Sequence, residues 1–211
     1  MTSLSNSKNL EIISLGAGVQ STVMALMTAR GQLNKKLINL PSRRLPDAAI
    51  FADTQFEPPQ IYDHLNWLEK LLPFPVFRVT TGNLKEDTLQ ASRFGLDNKG
   101  RFATVPFFTL EGNKRGMARR QCTNDYKIVP IRKKLRELIG LKAHQRVPKE
   151  TKVRVWIGIS TDEAMRMKPS RDAWVENVWP LIDAKMSRQD CLAWFEKNYP
   201  DRSKDFVVFK K

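Results

Sequence analysis

Four short stretches carry the residue types that handle phosphate and charge. The first is Gly16-Ala17-Gly18-Val19-Gln20-Ser21-Thr22. It follows Ile12-Ile13-Ser14-Leu15, an apolar, β-branched run that reads as a buried strand ending beside Ser14. It leads into Val23-Met24-Ala25-Leu26-Met27, which reads as an apolar helix. A strand that turns through glycines into a helix presents backbone N–H groups and the positive end of a helix dipole, an arrangement that binds phosphate. The others are Asp53-Thr54-Gln55-Phe56-Glu57, then Arg119-Arg120-Gln121-Cys122-Thr123 with Lys127, then Gly158-Ile159-Ser160 followed by Asp162, Glu163 and Arg166. In an open parallel sheet these stretches fall beyond the C-terminal ends of strands, where ligands bind.

The glycine pattern narrows the kind of phosphate loop. A Walker-type loop needs Lys followed by Ser or Thr after its last glycine, and Val19-Gln20 stands there instead. A dinucleotide fingerprint needs a third glycine, and Ser21 occupies that place. Strand-turn-helix packing with no ligand is the plain alternative.

Certain elements must position these stretches. Ala48-Ala49-Ile50-Phe51-Ala52 reads as a second strand, and a helix opens at Pro58-Pro59 with Ile61, Leu65, Leu68 and Leu71 at helical spacing. Val76-Phe77-Arg78-Val79-Thr80 reads as a third strand. The order β-α-β-α-β implies an α/β fold, an open and mostly parallel sheet with helices on both faces. Residues 83–92 read as a short helix, and periodicity fails over 93–121, an irregular segment. Residues 130–138 read as an amphipathic helix with a basic face, and 153–159 as the clearest late strand. Ser187 with Asp190 reads as a capping box opening a helix that buries Cys191, Leu192 and Phe195. One nucleotide-binding domain is expected over 11–200, between short tails at 1–10 and 201–211.

The 211 residues, 41% hydrophobic and 27% charged, suit a globular chain with a sizeable core. No apolar run reaches the roughly 20 residues needed to cross a bilayer, and a cytoplasmic protein without a membrane partner is expected. Two cysteines, Cys122 and Cys191, make no disulfide framework and no zinc pattern. The net charge of +14 favours polyanionic partners, nucleic acid such as tRNA or DNA among them. A homodimer is a further expectation.

The segment over 14–21 resembles the pyrophosphate loop of the N-type ATP pyrophosphatase (PP-loop) superfamily, usually Ser-x-Ser-Gly-Gly-x-Asp-Ser; Ser14, Gly18 and Ser21 match it, while Gly16, Ala17 and Gln20 depart. Asp-Thr-x-x-Glu-Pro from Asp53, Arg-x-Cys-Thr from Arg120 with Lys-Ile-x-Pro-Ile from Lys127, Trp-Ile-Gly-Ile-Ser-x-Asp-Glu-Ala-x-Arg-Met from Trp156, Trp-Pro-Leu-Ile-Asp from Trp179 and Ser-Arg-x-Asp-Cys from Ser187 are together similar to phosphoadenosine phosphosulfate reductases. The likeness spans most of residues 11–200. It implies an adenine nucleotide alpha hydrolase-like, Rossmann-like fold that binds ATP or a related adenine nucleotide with Mg²⁺.

On that resemblance the phosphates lie on Ser14, Gly16, Ala17, Gly18, Gln20, Ser21 and Thr22, near Gly158. Adenine lies beside Phe51, Asp53 and Thr54. Arg120, Lys127 and Arg166 neutralise charge developing at phosphorus, and Asp53 or Asp162 holds magnesium. The implied reaction is adenylation of a nucleic-acid or small anionic substrate with release of pyrophosphate. The alternatives are a sulfonucleotide reductase and a catalytically silent binding module. A reductase forms a thiosulfonate on a cysteine near its C-terminus, and no cysteine follows Cys191 here, so reduction is the lesser expectation.

Each candidate also has a plainer reading. Asp53 could cap a turn; Asp162 and Glu163 could serve a helix dipole, with Arg166 as the surface partner of Asp162. Cys122, after basic residues, could be a reactive thiol or a small buried side chain, and Cys191 fits the core.

Overall fold

The computed structural model describes residues 9–33, 45–94, 108–111, 114–117 and 123–202. It forms two compact units. One comprises Met1–Phe51, Pro59–Phe77 and Leu135–Lys211; the other comprises Ala52–Pro58 and Arg78–Lys134.

The first unit is built on a five-stranded sheet in the order β3-β2-β1-β6-β7. Its strands are β1 (Asn9–Leu15), β2 (Ala48–Ala52), β3 (Val76–Val79, continuing into the second unit at Arg78), β6 (Lys152–Ile157) and β7 (Val175–Val178). β1 runs parallel to β2 and to β6, and β6 parallel to β7. From β1 the chain builds outward to β2 and β3 on one side, then returns to add β6 and β7 on the other. The order therefore reverses between β1 and β6, and a crevice beyond the strand ends at such a reversal is where open α/β sheets bind ligands.

Residue choice explains the layering. β2 is buried along its whole length, as a central strand covered on both faces must be. Helix α1 (Val19–Ala29) is buried from Val19 through Thr28, which suits an 11-residue segment whose only polar side chains are Gln20, Ser21, Thr22 and Thr28. Thr28 returns its hydroxyl to the carbonyl of Met24 at 2.7 Å and so needs no outside partner. Helix α2 (Pro59–Glu69) buries Ile61, Leu65 and Leu68 on one stripe. One core joins Ile13, Leu15, Val23, Leu26, Phe51, Leu65, Trp156 and Phe195.

The second unit holds helix α3 (Leu84–Phe94), an antiparallel hairpin of β4 (Phe108–Glu111) and β5 (Lys114–Met117), and a π-helical turn over Asn124–Ile128. Asn83 opens α3 by accepting the N–H groups of Lys85 and Glu86 at 3.0 and 3.2 Å. The stretch 93–121, expected to be irregular, thus contains a hairpin. Helix α4 (Val129–Leu138) begins in this unit and ends in the first. The chain closes, as described, with the short α5 (Pro180–Asp183) and with α6 (Arg188–Asn198), which packs on α1. Ser187 caps α6 through the expected box: its hydroxyl receives the N–H of Asp190, whose carboxylate receives the N–H of Ser187. No helix among the described residues is long and apolar enough to cross a membrane.

Candidate functional site: a glycine bend at the sheet reversal

The bend that follows β1 is shaped by three residues. Gly16 is exposed, Ala17 takes a left-handed φ of 53°, and Gly18 enters α1 in an extended conformation. Ser21 ties it together from inside: its hydroxyl receives the N–H of Gly16 and donates to the carbonyl of Gly18, both at 3.2 Å. The cap residue Gly18 makes no side-chain bond to α1, so among the described residues the first-turn N–H groups keep the donor capacity of a helix start. A Cβ placed on Gly18 would meet nothing within 4 Å. The bend is open on that side.

Two further loops reach the same helix end. Gly158, just after β6, lies against the backbone of Gln20 and Ser21. Its lack of a side chain is a packing requirement of this contact. Ser160 is fully buried, and the 3-10 turn Thr161–Arg166 follows it.

Gln20, 7% exposed, joins these parts. Its amide nitrogen donates to the hydroxyl of Ser160 at 3.3 Å and to Glu163 at 3.2 Å. Its amide oxygen receives Nη1 of Arg188 at 3.1 Å. Asp162 then takes the backbone N–H of Arg188 at 2.8 Å. That bond, followed by one from the hydroxyl of Ser160, holds the Asp162 carboxyl below the usual carboxylate range. Arg188, Gln20, Ser160 and Asp162 thereby close a ring of hydrogen bonds. Arg166 lies outside it, donating to Glu163 at 2.6 Å.

The remaining expected residues of this unit have these places. Ser14 is half-buried in β1, paired in register with Ile50 and Ile157. Thr22 is fully buried, with its hydroxyl 3.0 Å from Nε2 of His64, so its side chain faces inward. Phe51 is 2% exposed and its ring belongs to the core, which leaves only its backbone to meet a base. Cys191 is buried in α6, and burial pushes its thiol up to about 12.

In the second unit, Asp53 receives the N–H of Gln55 at 2.7 Å, the turn-capping role open to it from the sequence. Thr54 donates its hydroxyl to Glu57 at 3.1 Å and receives the N–H of Phe56 at 3.3 Å. Lys127 sits in the π-helical turn with Nζ 3.8 Å from Glu57. That turn is held by Tyr126, whose phenol donates to the buried carboxyl of Asp87, and by Thr81, which donates to the carbonyl of Asp125 at 2.9 Å. Arg120 and Cys122 lie outside the described residues. Among the described residues no three His, Cys, Asp or Glu side chains converge where a metal ion could sit. Asp162 is exposed and receives the Arg188 N–H and the Ser160 hydroxyl; a magnesium role for it or for Asp53 rests on the sequence resemblance alone.

From the sequence Arg188 stands only as part of the Ser-Arg-x-Asp-Cys motif, with no role of its own, and the linking role of Gln20 is not foreseen. The available signal was the capping box, which placed residue 188 at the first position of a helix without saying what that helix starts against.

An open parallel sheet whose order reverses beside a glycine bend is a Rossmann-like α/β fold, consistent with the adenine nucleotide alpha hydrolase-like type. Within that class the chain is similar to phosphoadenylyl-sulfate (PAPS) reductase from Candida auris, solved as a phosphate complex. The identity is 16% and the TM-score 0.52, over 89% of this chain and 72% of that one. At such identity the likeness is one of fold. No protein-family model matches the sequence, and no curated protein does.

Proposed function

We propose that this chain is an adenine-nucleotide-binding enzyme whose bend at residues 16–18 receives the nucleotide phosphates. The observation that carries the reading is the open bend itself: an exposed Gly16 and an unobstructed Gly18 at an uncapped helix start, placed at the sheet reversal. Close approach of a phosphate to backbone N–H groups needs this combination. The phosphate complex of the similarly folded reductase supports an anion site in this class of fold.

The reaction proposed is adenylation. A nucleophilic oxygen of the acceptor attacks the α-phosphorus of ATP, the bond between that phosphorus and the bridging oxygen breaks, and pyrophosphate leaves with the electron pair. Bend and helix start stabilise charge on the phosphate oxygens as it develops. The net charge of +14 suits an acceptor that is itself a polyanion, and tRNA and DNA are the first to test. Magnesium would neutralise phosphate charge when bound. The roles expected of Lys127, Asp53 and Thr54 rest on the sequence resemblance alone.

A sulfonucleotide reductase is the second reading, favoured by the identity of the structural neighbour. Its chemistry needs a thiolate; the buried Cys191 remains a thiol at neutral pH, which leaves Cys122 as the candidate for that reading.

The test is equilibrium binding of ATP with Mg²⁺, followed by assay of pyrophosphate and AMP release with tRNA, DNA and small anionic acceptors. Binding with acceptor-dependent release is the expected result. Neither binding nor release across the panel would overturn the proposal. Release of sulfite from a sulfonucleotide, with no pyrophosphate from ATP, would replace it with the reductase.

A further inference from the structure

We infer that Arg188 is an anion-binding residue of this site, and that Gln20 is the positioning residue that aims it at the polyphosphate. The inference rests on the phosphate reading of the bend, and it adds a residue and a ligand subsite to it.

Arg188 is fixed at both ends. Its backbone N–H is held by Asp162 at 2.8 Å, within a helix start already locked by the box of Ser187 and Asp190. Its guanidinium is held by the amide oxygen of Gln20 at 3.1 Å. Gln20 has no freedom to turn, because its nitrogen faces Ser160 and Glu163 while its oxygen faces Arg188. An arginine side chain loses rotamer entropy when a contact fixes it; here it is ordered before any ligand arrives.

Gln20 is the second residue of α1, so the bond to its side chain brings the guanidinium to the first turn of that helix. The partner at the tip is a neutral amide, which leaves the guanidinium charge in place. The nearby carboxylate of Asp162 is engaged by a backbone N–H and a hydroxyl, and Glu163 is engaged by Gln20 and Arg166. Among the described residues, the other N–H groups of the Arg188 side chain meet no acceptor. A half-buried, preordered guanidinium with open donors beside an uncapped helix start suits two oxygens of one phosphate, the forked contact that arginine makes better than lysine. The ligand class is a di- or triphosphate, free or as the tail of a nucleotide.

The experiment measures binding of inorganic pyrophosphate, adenosine, AMP, ADP and ATP to the full chain and to three single variants, Arg188→Gln, Arg188→Lys and Gln20→Met. Urea unfolding confirms that each is folded. Methionine fills the place of Gln20 without its amide. Arg188→Gln is expected to weaken pyrophosphate, ADP and ATP by roughly 10- to 100-fold and to leave adenosine unchanged. Arg188→Lys should recover only part of this. Gln20→Met should weaken the same ligands, and the double variant Gln20→Met/Arg188→Gln should be no weaker than Arg188→Gln alone, because the two residues act in one contact.

Unchanged pyrophosphate affinity in folded Arg188→Gln would overturn the inference. Loss in Arg188→Gln but none in Gln20→Met would overturn the positioning role. Pyrophosphate binding that depends on Arg188, with no binding of any adenine nucleotide, would leave the subsite standing and remove the adenine reading. Wild-type protein that binds neither would remove both.

Discussion

Gly158 and Ser21 lie so close that a Cβ on Gly158 would stand 2.8 Å from both the Cα and the backbone nitrogen of Ser21, and 3.1 Å from the carbonyl carbon of Gln20. These are backbone atoms of a buried helix start, which cannot swing aside as a flexible side chain would. Gly158→Ala must therefore push the β6 loop and α1 apart. The expected cost is about 1–3 kcal/mol of stability. It should show as a lower urea midpoint with an unchanged slope.

Gly18 gives the opposite outcome. Its φ of −86° is open to any residue, and a Cβ there meets nothing within 4 Å. Gly18→Ala should change stability by no more than about 1 kcal/mol, with reduced chain entropy in the unfolded state offset by a poorer helix cap. The methyl group stands in the open space that the phosphates are proposed to enter. Nucleotide affinity should fall at least roughly tenfold. A Gly18→Ala protein that is stable and binds ATP as the wild type does would place the phosphates elsewhere.

The contrast between these two glycines marks how far the sequence could be read. Strands around Ile12-Ile13, Ala48 to Ala52 and Val153 to Ile157 were legible because central parallel strands are nearly continuous apolar runs. β7, with Glu176 and Asn177 between its valines, is a half-exposed edge strand that alternation alone does not reveal. The glycine bend was legible from Gly16 and Gly18, but the reason for Gly158 was not. It depends on a contact between residues 137 positions apart, from 158 − 21, and no local pattern encodes that. Gln20 looked like a departure from a phosphate-loop pattern. Its worth lies in three partners supplied by Ser160, Glu163 and Arg188. Thr22 and Phe51 carried suitable chemistry for a ligand, yet helix and strand geometry turned both side chains into the protein.

Two carboxylates tie the start of α6 to acid stability. The hydroxyl and backbone N–H of Ser187 hold the Asp190 carboxyl below its usual range, and Arg188 with Ser160 does the same for Asp162. A depressed native pKa means that the unfolded chain binds protons first as pH falls. The stabilisation is thus complete above the ordinary aspartate value near pH 4 and is lost as pH drops through the lower native values. Stability of the double variant Asp162→Asn/Asp190→Asn should be lower at pH 7 and should vary less with pH below 4. Chemical denaturation at a series of pH values measures both slopes. Equal acid slopes in the two proteins would refute the linkage.

Cys191 has the opposite sign at the alkaline end. Its side chain is buried between α6 and the core, and desolvation pushes the thiol from 9.0 to about 12. The native state therefore keeps a proton that the unfolded chain releases earlier. Its contribution is fully present below pH 9 and is lost as pH rises toward 12. Cys191→Ala should flatten this alkaline decline, at a cost near 1 kcal/mol at neutral pH from the small void it leaves. The same burial predicts that native Cys191 resists iodoacetamide at pH 8 and is labelled rapidly in urea, which peptide mass mapping would read directly. Rapid native labelling of Cys191 would mean that α6 opens readily, and it would place a second thiol, besides Cys122, among the groups available for chemistry.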